Sequence, residues 1–190
     1  MEKTDPMKVP WLTSTVSERG EYACKREFVR IFEREHLSLL KLAQLLTVNS
    51  EVAKRCLIRS FGECISNNSV FKEWAFNWAR RMIIRSAINL VIEPGHQSSA
   101  EAYDEQGDEF ISLLPSTSAI TTTDIEFLGI LPEFDRFVFV ICDLEHYSIH
   151  ECASLLSRSP KQVCEARKRT GTQMKSFDES SDISQRLAMH

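Results

Sequence analysis

The sequence predicts an all-α protein built as two helical domains joined by an acidic flexible linker. Three observations carry this. Apolar residues recur at spacings of three and four through most of the chain, and no segment sustains a period of two. Gly and Pro number only six each in 190 residues, so helix breakers are scarce. Between Ile92 and Ile130 the periodicity stops, and that stretch holds eight Asp and Glu but no Lys or Arg.

Each segment follows from its pattern. Residues 1–20 are polar with two prolines and read as an irregular lead-in. The first domain spans 21–91. Within 21–46, Phe28, Ile31, Phe32, Leu39, Leu42, Ala43 and Leu46 form one apolar stripe, predicting one long helix or two. Asn49-Ser50-Glu51 starts another, with Val52, Cys56, Leu57, Ser60, Phe61 and Cys64 as its stripe. Ser66-Asn67-Asn68-Ser69 is a turn, and 70–91 is a helix rich in aromatics and Arg. Residues 92–124 are the linker, with one helical turn expected around 109–114. The second domain spans 125–174, and 175–190 read as a flexible tail.

The second domain contains the densest chemistry, in "SIHECASLLSRSPKQVCEARKRT", 148–170. Ser148 with Glu151 is a capping box, and Ile149, Cys152, Ala153 and Leu156 follow at helical spacing. Ser157-Arg158-Ser159 interrupts the stripe. Ser159-Pro160 then restarts a helix, with Ser at the N-cap and Pro at the first helical position, where its missing N–H costs nothing. Val163 and Ala166 or Arg167 continue the buried face to about Met174. Helix, short turn, helix is a DNA-reading arrangement, and this second helix carries Lys161, Arg167, Lys168 and Arg169 against Glu165 alone. A second basic concentration lies in 51–91: Lys54, Arg55, Arg59, Lys72, Arg80, Arg81 and Arg85 against three Glu. In a chain of net charge −4, two basic patches with an acidic strap between them suit one nucleic acid held at two places.

Other classes are disfavoured. A hydrophobic fraction of 43% with 26% charged residues is ordinary for a soluble globular protein. No apolar run approaches a membrane span, and the start lacks the basic-then-apolar order of a signal peptide, so no membrane partner and a cytoplasmic location are expected. The six Cys form no CxxC pair and sit mostly in apolar stripes, predicting buried reduced thiols. Cys142, His146, His150 and Cys152 are close in sequence. The capping box separates His150 and Cys152 from the preceding helix, so no metal site is predicted. No glycine-rich phosphate loop, nucleophile elbow or HExxH is present, and neither an enzyme nor a cofactor is expected.

The chain resembles RNA polymerase sigma factors of the extracytoplasmic-function group, two-domain members of the sigma-70 family. "REHLSLLKLAQLLTVNSEVAKRCLIRSFGECI" followed by "FKEWAFNWARRMIIRSAINLV" is similar to that family's region two, with Phe71, Trp74 and Ala79 on its F..WL..IA signature. Leu131-Pro132 with Arg136, Val138 and Leu144 matches the lead-in to region four. Glu151, Ala153, Leu156, Val163 and Arg169 match the pattern of its helix-turn-helix. The resemblance covers about 25–91 and 125–174.

It implies a protein that binds core RNA polymerase and directs it to promoter DNA. The first domain would contact the −10 element, the helix-turn-helix would read the −35 element, and an anti-sigma protein could be a further partner. The implied DNA contacts in the first domain are Asn67, Asn68, Lys72, Trp74, Arg80, Arg81 and Arg85. In the second they are Arg158, Ser159, Lys161, Gln162, Glu165, Arg167, Lys168 and Arg169. Lys161, Gln162 and Glu165 should face base edges and the Arg and Lys mostly phosphates, with Arg169 partly tied to a neighbouring acid. Arg55, Ile58 and Phe61 would bind polymerase, with Phe61 as an exposed apolar anchor.

The chain also departs from the family. Arg55 and Ile58 stand where it carries Asp and Gln, Arg81 and Arg85 where it carries Asn and Asp, and Ser157 where it carries the turn Gly. A guanidinium in place of a carboxylate would repel a partner chosen to meet the acid. An alternative reading is therefore a sigma-like regulatory module for protein interaction that has lost productive polymerase engagement.

Overall fold

The computed structural model of the chain describes residues 21–66, 70–92 and 122–187. Its elements are α1 (Lys25–Thr47), α2 (Ser50–Ser66), a 3-10 turn at Lys72–Trp74 and α3 (Ala75–Val91). They continue with α4 (Thr122–Ile130), α5 (Glu133–Phe139), a π-helical turn at Val140–Leu144, α6 (Ile149–Leu155) and α7 (Pro160–Leu187). The protein is all-α. Among the described residues the only extended pairing is one antiparallel bridge between Tyr22 and Phe71, and no helix is long and apolar enough to cross a membrane. The expected lead-in, the turn with Asn67 and Asn68, and the helical turn at 109–114 lie outside the described residues.

Helices α1, α2 and α3 pack on one another. The α1 stripe is one continuous helix face: Phe28, Phe32, Leu39, Leu42, Ala43 and Leu46 are all buried. Against it α2 buries Ala53, Cys56, Leu57, Ser60, Phe61 and Cys64. Small residues let α2 approach α3 closely. Ser60 Oγ donates to Cys56 O at 2.7 Å and lies 2.9 Å from Ser86 Oγ, and Cys56 Sγ donates to Ile83 O at 3.2 Å. Burial pushes the Cys56 and Cys64 thiols up to about 12, so both stay neutral and unreactive. All six cysteines are free thiols.

A second group of helices has α5 and α6 packed on α7, while α4 packs on α1 and meets the group through Phe127 against Phe139 and Phe177. Its core holds Leu128, Phe137, Val138, Ile141, Cys152, Ala153, Leu156, Val163 and Ala166. Ala166 rather than Arg167 continues the buried face of α7. Helix α7 runs to Leu187, well past Met174 and through most of the stretch read as a tail. Phe177 stacks at a tilt on Phe127 with centroids 5.4 Å apart, which gives that continuation an apolar anchor on α4.

One continuous hydrophobic core runs through both groups of helices. Arg136 is buried, and its Nε donates to Leu46 O at 2.9 Å, satisfying a free carbonyl at the C-terminal end of α1. Burial lowers the Arg136 pKa, but a guanidinium still stays charged. Val48 caps α1 with φ 53°, unusual for a β-branched residue, and a Cβ at Gly129 of α4 would lie 3.6 Å from its Cγ1.

One sequence expectation is overturned here. Phe61 is 9% exposed and meets Phe32 edge-on, with centroids 5.2 Å apart. It lies on the α2 stripe with Leu57 and Cys64, facing α1, so it is core rather than an exposed anchor. Arg55 of the same helix is exposed and Ile58 half-buried.

Candidate nucleic-acid interface

The α6–turn–α7 unit is held by two successive capping boxes. Glu151 N donates to Ser148 Oγ at 3.2 Å, and Ser148 N donates to Glu151 Oε2 at 2.9 Å. The Ser148 hydroxyl and N–H lower the Glu151 pKa. The same geometry recurs at α7. Gln162 N donates to Ser159 Oγ at 3.3 Å and Ser159 N donates to Gln162 Oε1 at 3.0 Å. Between them Ser157 adopts φ 51°, the left-handed conformation that a turn glycine would supply freely and that costs Ser about 1 kcal/mol.

The start of α7 presents Lys161, Gln162 and Glu165 to solvent, with Arg158 in the turn and Lys168 a turn further on, all exposed. Gln162 uses its carbonyl for the cap, which leaves its amide NH2 for an outside acceptor. Two members of the basic run are tied down. Arg169 pairs with Asp135, and Arg167 Nη2 lies 2.6 Å from Asp143 Oδ1. Arg158, Lys161 and Lys168 form no ion pair among the described residues, so they are the cations open to phosphate.

The first-domain candidates gather on a different face. The 3-10 turn and α3 set Trp74, Trp78, Arg81 and Arg85 around a cleft of about 830 Å3, whose far wall is Glu145, His146 and Tyr147 before α6 and Glu151 within it. Trp74 is 57% exposed and stands edge-on to Phe71, which stacks on Tyr22 with centroids 4.7 Å apart. An exposed indole on an aromatic stack can take an unpaired base. Trp78 is half-buried. Lys72 lies outside the cleft lining and pairs with Glu27 at 3.2 Å.

Arg80 is not open to solvent in the way the sequence suggests. Its Nε donates to Glu145 Oε2 at 2.8 Å, its Nη2 to Glu145 Oε1 and its Nη1 to Ser38 Oγ at 3.0 Å. The guanidinium carbon also lies 5.5 Å from the Phe76 ring centroid. Reading the sequence misses Glu145, Asp143 and Asp135 as partners of the basic residues. Only the tie of Arg169 to some acid is foreseen. The separations of 65, 24 and 34 residues leave no local pattern to reveal them.

Among the described residues no group of three His, Cys, Asp or Glu converges as a metal site would require. Burial raises the Cys142 and Cys152 thiols further from the thiolate that a metal needs. Comparison with protein-family models, curated proteins and solved structures found no match to this chain.

Proposed function

We propose that this chain is a sigma-factor-like transcription initiation protein that binds core RNA polymerase and directs it to promoter DNA. In this reading α7 enters the major groove of the −35 element. The Trp74, Arg81 and Arg85 face contacts the −10 element once its strands part. The observation that carries the reading is the doubly capped α6–turn–α7 unit, with Lys161, Gln162, Glu165 and Lys168 exposed on the leading part of one helix. A capped, rigid helix start bearing one amide, one carboxylate and unpaired cations suits base edges flanked by phosphates. The test is a pull-down of core polymerase with the purified protein, followed by run-off transcription. Retention of polymerase and promoter-dependent transcripts are expected, and absence of both would reject the reading.

A second reading is favoured by one observation. The exposed cation at Arg55 and the burial of Phe61 leave α2 without the acid and the apolar anchor that polymerase docking would use. The chain would then be a regulator that engages other proteins through a sigma-like fold, with polymerase retention absent in the same pull-down and duplex DNA binding still present.

A further inference from the structure

We propose that Cys142, Cys152 and Cys164 form a peroxide-responsive thiol relay beneath the helix-turn-helix, in which Cys164 takes the oxidant and Cys142 and Cys152 end as a disulfide. The relay stands apart from the initiation reading given above. Three of the six cysteines lie within 142–164, on the π-helical turn, α6 and α7. Helix α6 packs on both the turn and α7. Cys142 and Cys152 are buried, with their thiols in hydrogen-bond contact, and Cys164 is half-exposed. The next turn of α7 sets Cys164 beside the π-helical turn. Arg167, three residues on and on the same face, places Nη2 2.6 Å from Oδ1 of Asp143, the chain neighbour of Cys142. Cys164 and the Arg167 guanidinium both lie within electrostatic reach of Cys142.

Exposure orders the chemistry. Burial holds the Cys142 and Cys152 thiols protonated, so neither is the first to meet a peroxide, and at Cys142 the Arg167 guanidinium works against that burial. Hydrogen peroxide transfers one oxygen to the Cys164 sulfur, giving a sulfenic acid and one water. The Cys142 sulfur then attacks the Cys164 sulfur. The S–O bond breaks, the hydroxyl leaves as a second water with the Cys142 proton, and a Cys142–Cys164 disulfide forms. The Cys152 sulfur next attacks the Cys142 sulfur, and Cys164 leaves with the proton that Cys152 gives up. In sum Cys142 and Cys152 lose two electrons and two protons, and the peroxide is reduced to water. The product ties the π-helical turn to α6 across the Ser148 capping box, directly beside the acid that holds Arg167.

Peptide masses test each step. The full chain carrying Cys24→Ser lacks the other exposed thiol and keeps a capping oxygen at the start of α1. It is treated with hydrogen peroxide, alkylated under denaturing conditions and cut with trypsin. Residues 137–158 then carry both Cys142 and Cys152, and residues 162–167 carry Cys164. The expected product is 137–158 lighter by two hydrogens, with 162–167 alkylated. Adding Cys152→Ala should stop the relay at a crosslink between 137–158 and 162–167. Adding Cys164→Ser instead should slow the loss of free thiols by about tenfold. Circular dichroism of each variant before oxidation confirms the fold. No loss of two hydrogens from 137–158, or an unchanged rate in the Cys164→Ser protein, would overturn the relay. A folded Cys152→Ala protein that gains oxygen at Cys164 without the crosslink would overturn the part of Cys142. None of these readouts involves DNA or polymerase, so the initiation reading stands or falls separately in the pull-down.

Discussion

Arg169 grips Asp135 at two points, Nε to Oδ2 at 2.9 Å and Nη2 to Oδ1 at 2.6 Å, across 34 residues of sequence. Asp135 is almost fully buried while Arg169 is half-exposed. The pair joins the start of α5 to α7 and fixes the angle at which α7 leaves the core. Arg169→Ala should therefore destabilise the fold by about 1–3 kcal/mol, because a buried carboxylate loses its partner. Urea titration measures this. The salt dependence of DNA binding should hardly move, since Arg169 is already neutralised.

Lys168 should behave in the opposite way. It is exposed and forms no ion pair among the described residues. Lys168→Ala should leave stability within about 0.5 kcal/mol and lower the log–log salt slope of duplex binding by about one. Arg167→Ala should lower it less, because Arg167 must first leave Asp143. Anisotropy titrations at several salt concentrations separate the three variants.

Gln162 and Glu165 should govern sequence preference. Glu165→Ala should change which duplexes bind, at about 1–3 kcal/mol for a lost base contact. Gln162→Ala carries an extra stability loss of about 1 kcal/mol through its capping box with Ser159. Gln162→Glu keeps the cap acceptor and removes the amide donor. Its loss of preference without loss of melting temperature would isolate base reading. Equal weakening on two unrelated duplexes would exclude it.

Phe61→Ala should cost about 3–5 kcal/mol by opening a cavity against Phe32. The expected result is a large drop in denaturation midpoint rather than a folded protein with a bare docking surface. Arg55→Ala, on an exposed position, should leave stability unchanged and is the variant to use in the polymerase pull-down.

Glu27 makes one region of the fold sensitive to acid. The Cys24 side chain and N–H, with Lys72 nearby, hold its carboxyl at about 2 instead of 4.5. A depressed folded pKa means that the charged form stabilises the fold. That contribution is complete above pH of about 4.5 and is lost as pH falls toward about 2. The melting difference between wild type and Glu27→Gln should shrink over that window. A constant difference would show that Glu27 acts only through packing.

Local chemistry was legible in the sequence. Helix stripes, the Ser148–Glu151 box and the Ser159–Pro160 start all follow from neighbours within four residues, where backbone geometry dictates contacts. The stripe itself points Phe61 to the core with Leu57 and Cys64; only the family resemblance makes it an exposed anchor. The continuation of α7 leaves little trace in the sequence because residues 175–187 are mostly polar, and the packing of Phe177 on Phe127 is a tertiary contact. The acid partners of Arg80 and Arg167 are tertiary contacts of the same kind. Charge runs reveal where cations lie, and only the fold decides which of them are already spent on carboxylates.

The π-helical turn at Val140–Leu144 makes the aim of Glu145 at α3 a matter of one residue. Such a turn is an α-helix with one residue inserted. Each residue advances a helix by about 100°, so excising one from 140–144 would carry Glu145 and Tyr147 about a quarter-turn or more away from α3. The core residues Phe137 and Val138, upstream of the excision, would keep their places. Because α5 upstream and α7 downstream stay tied through Asp135 and Arg169, that quarter-turn has to be taken up in the loop at 145–148, the segment that carries the acid facing α3.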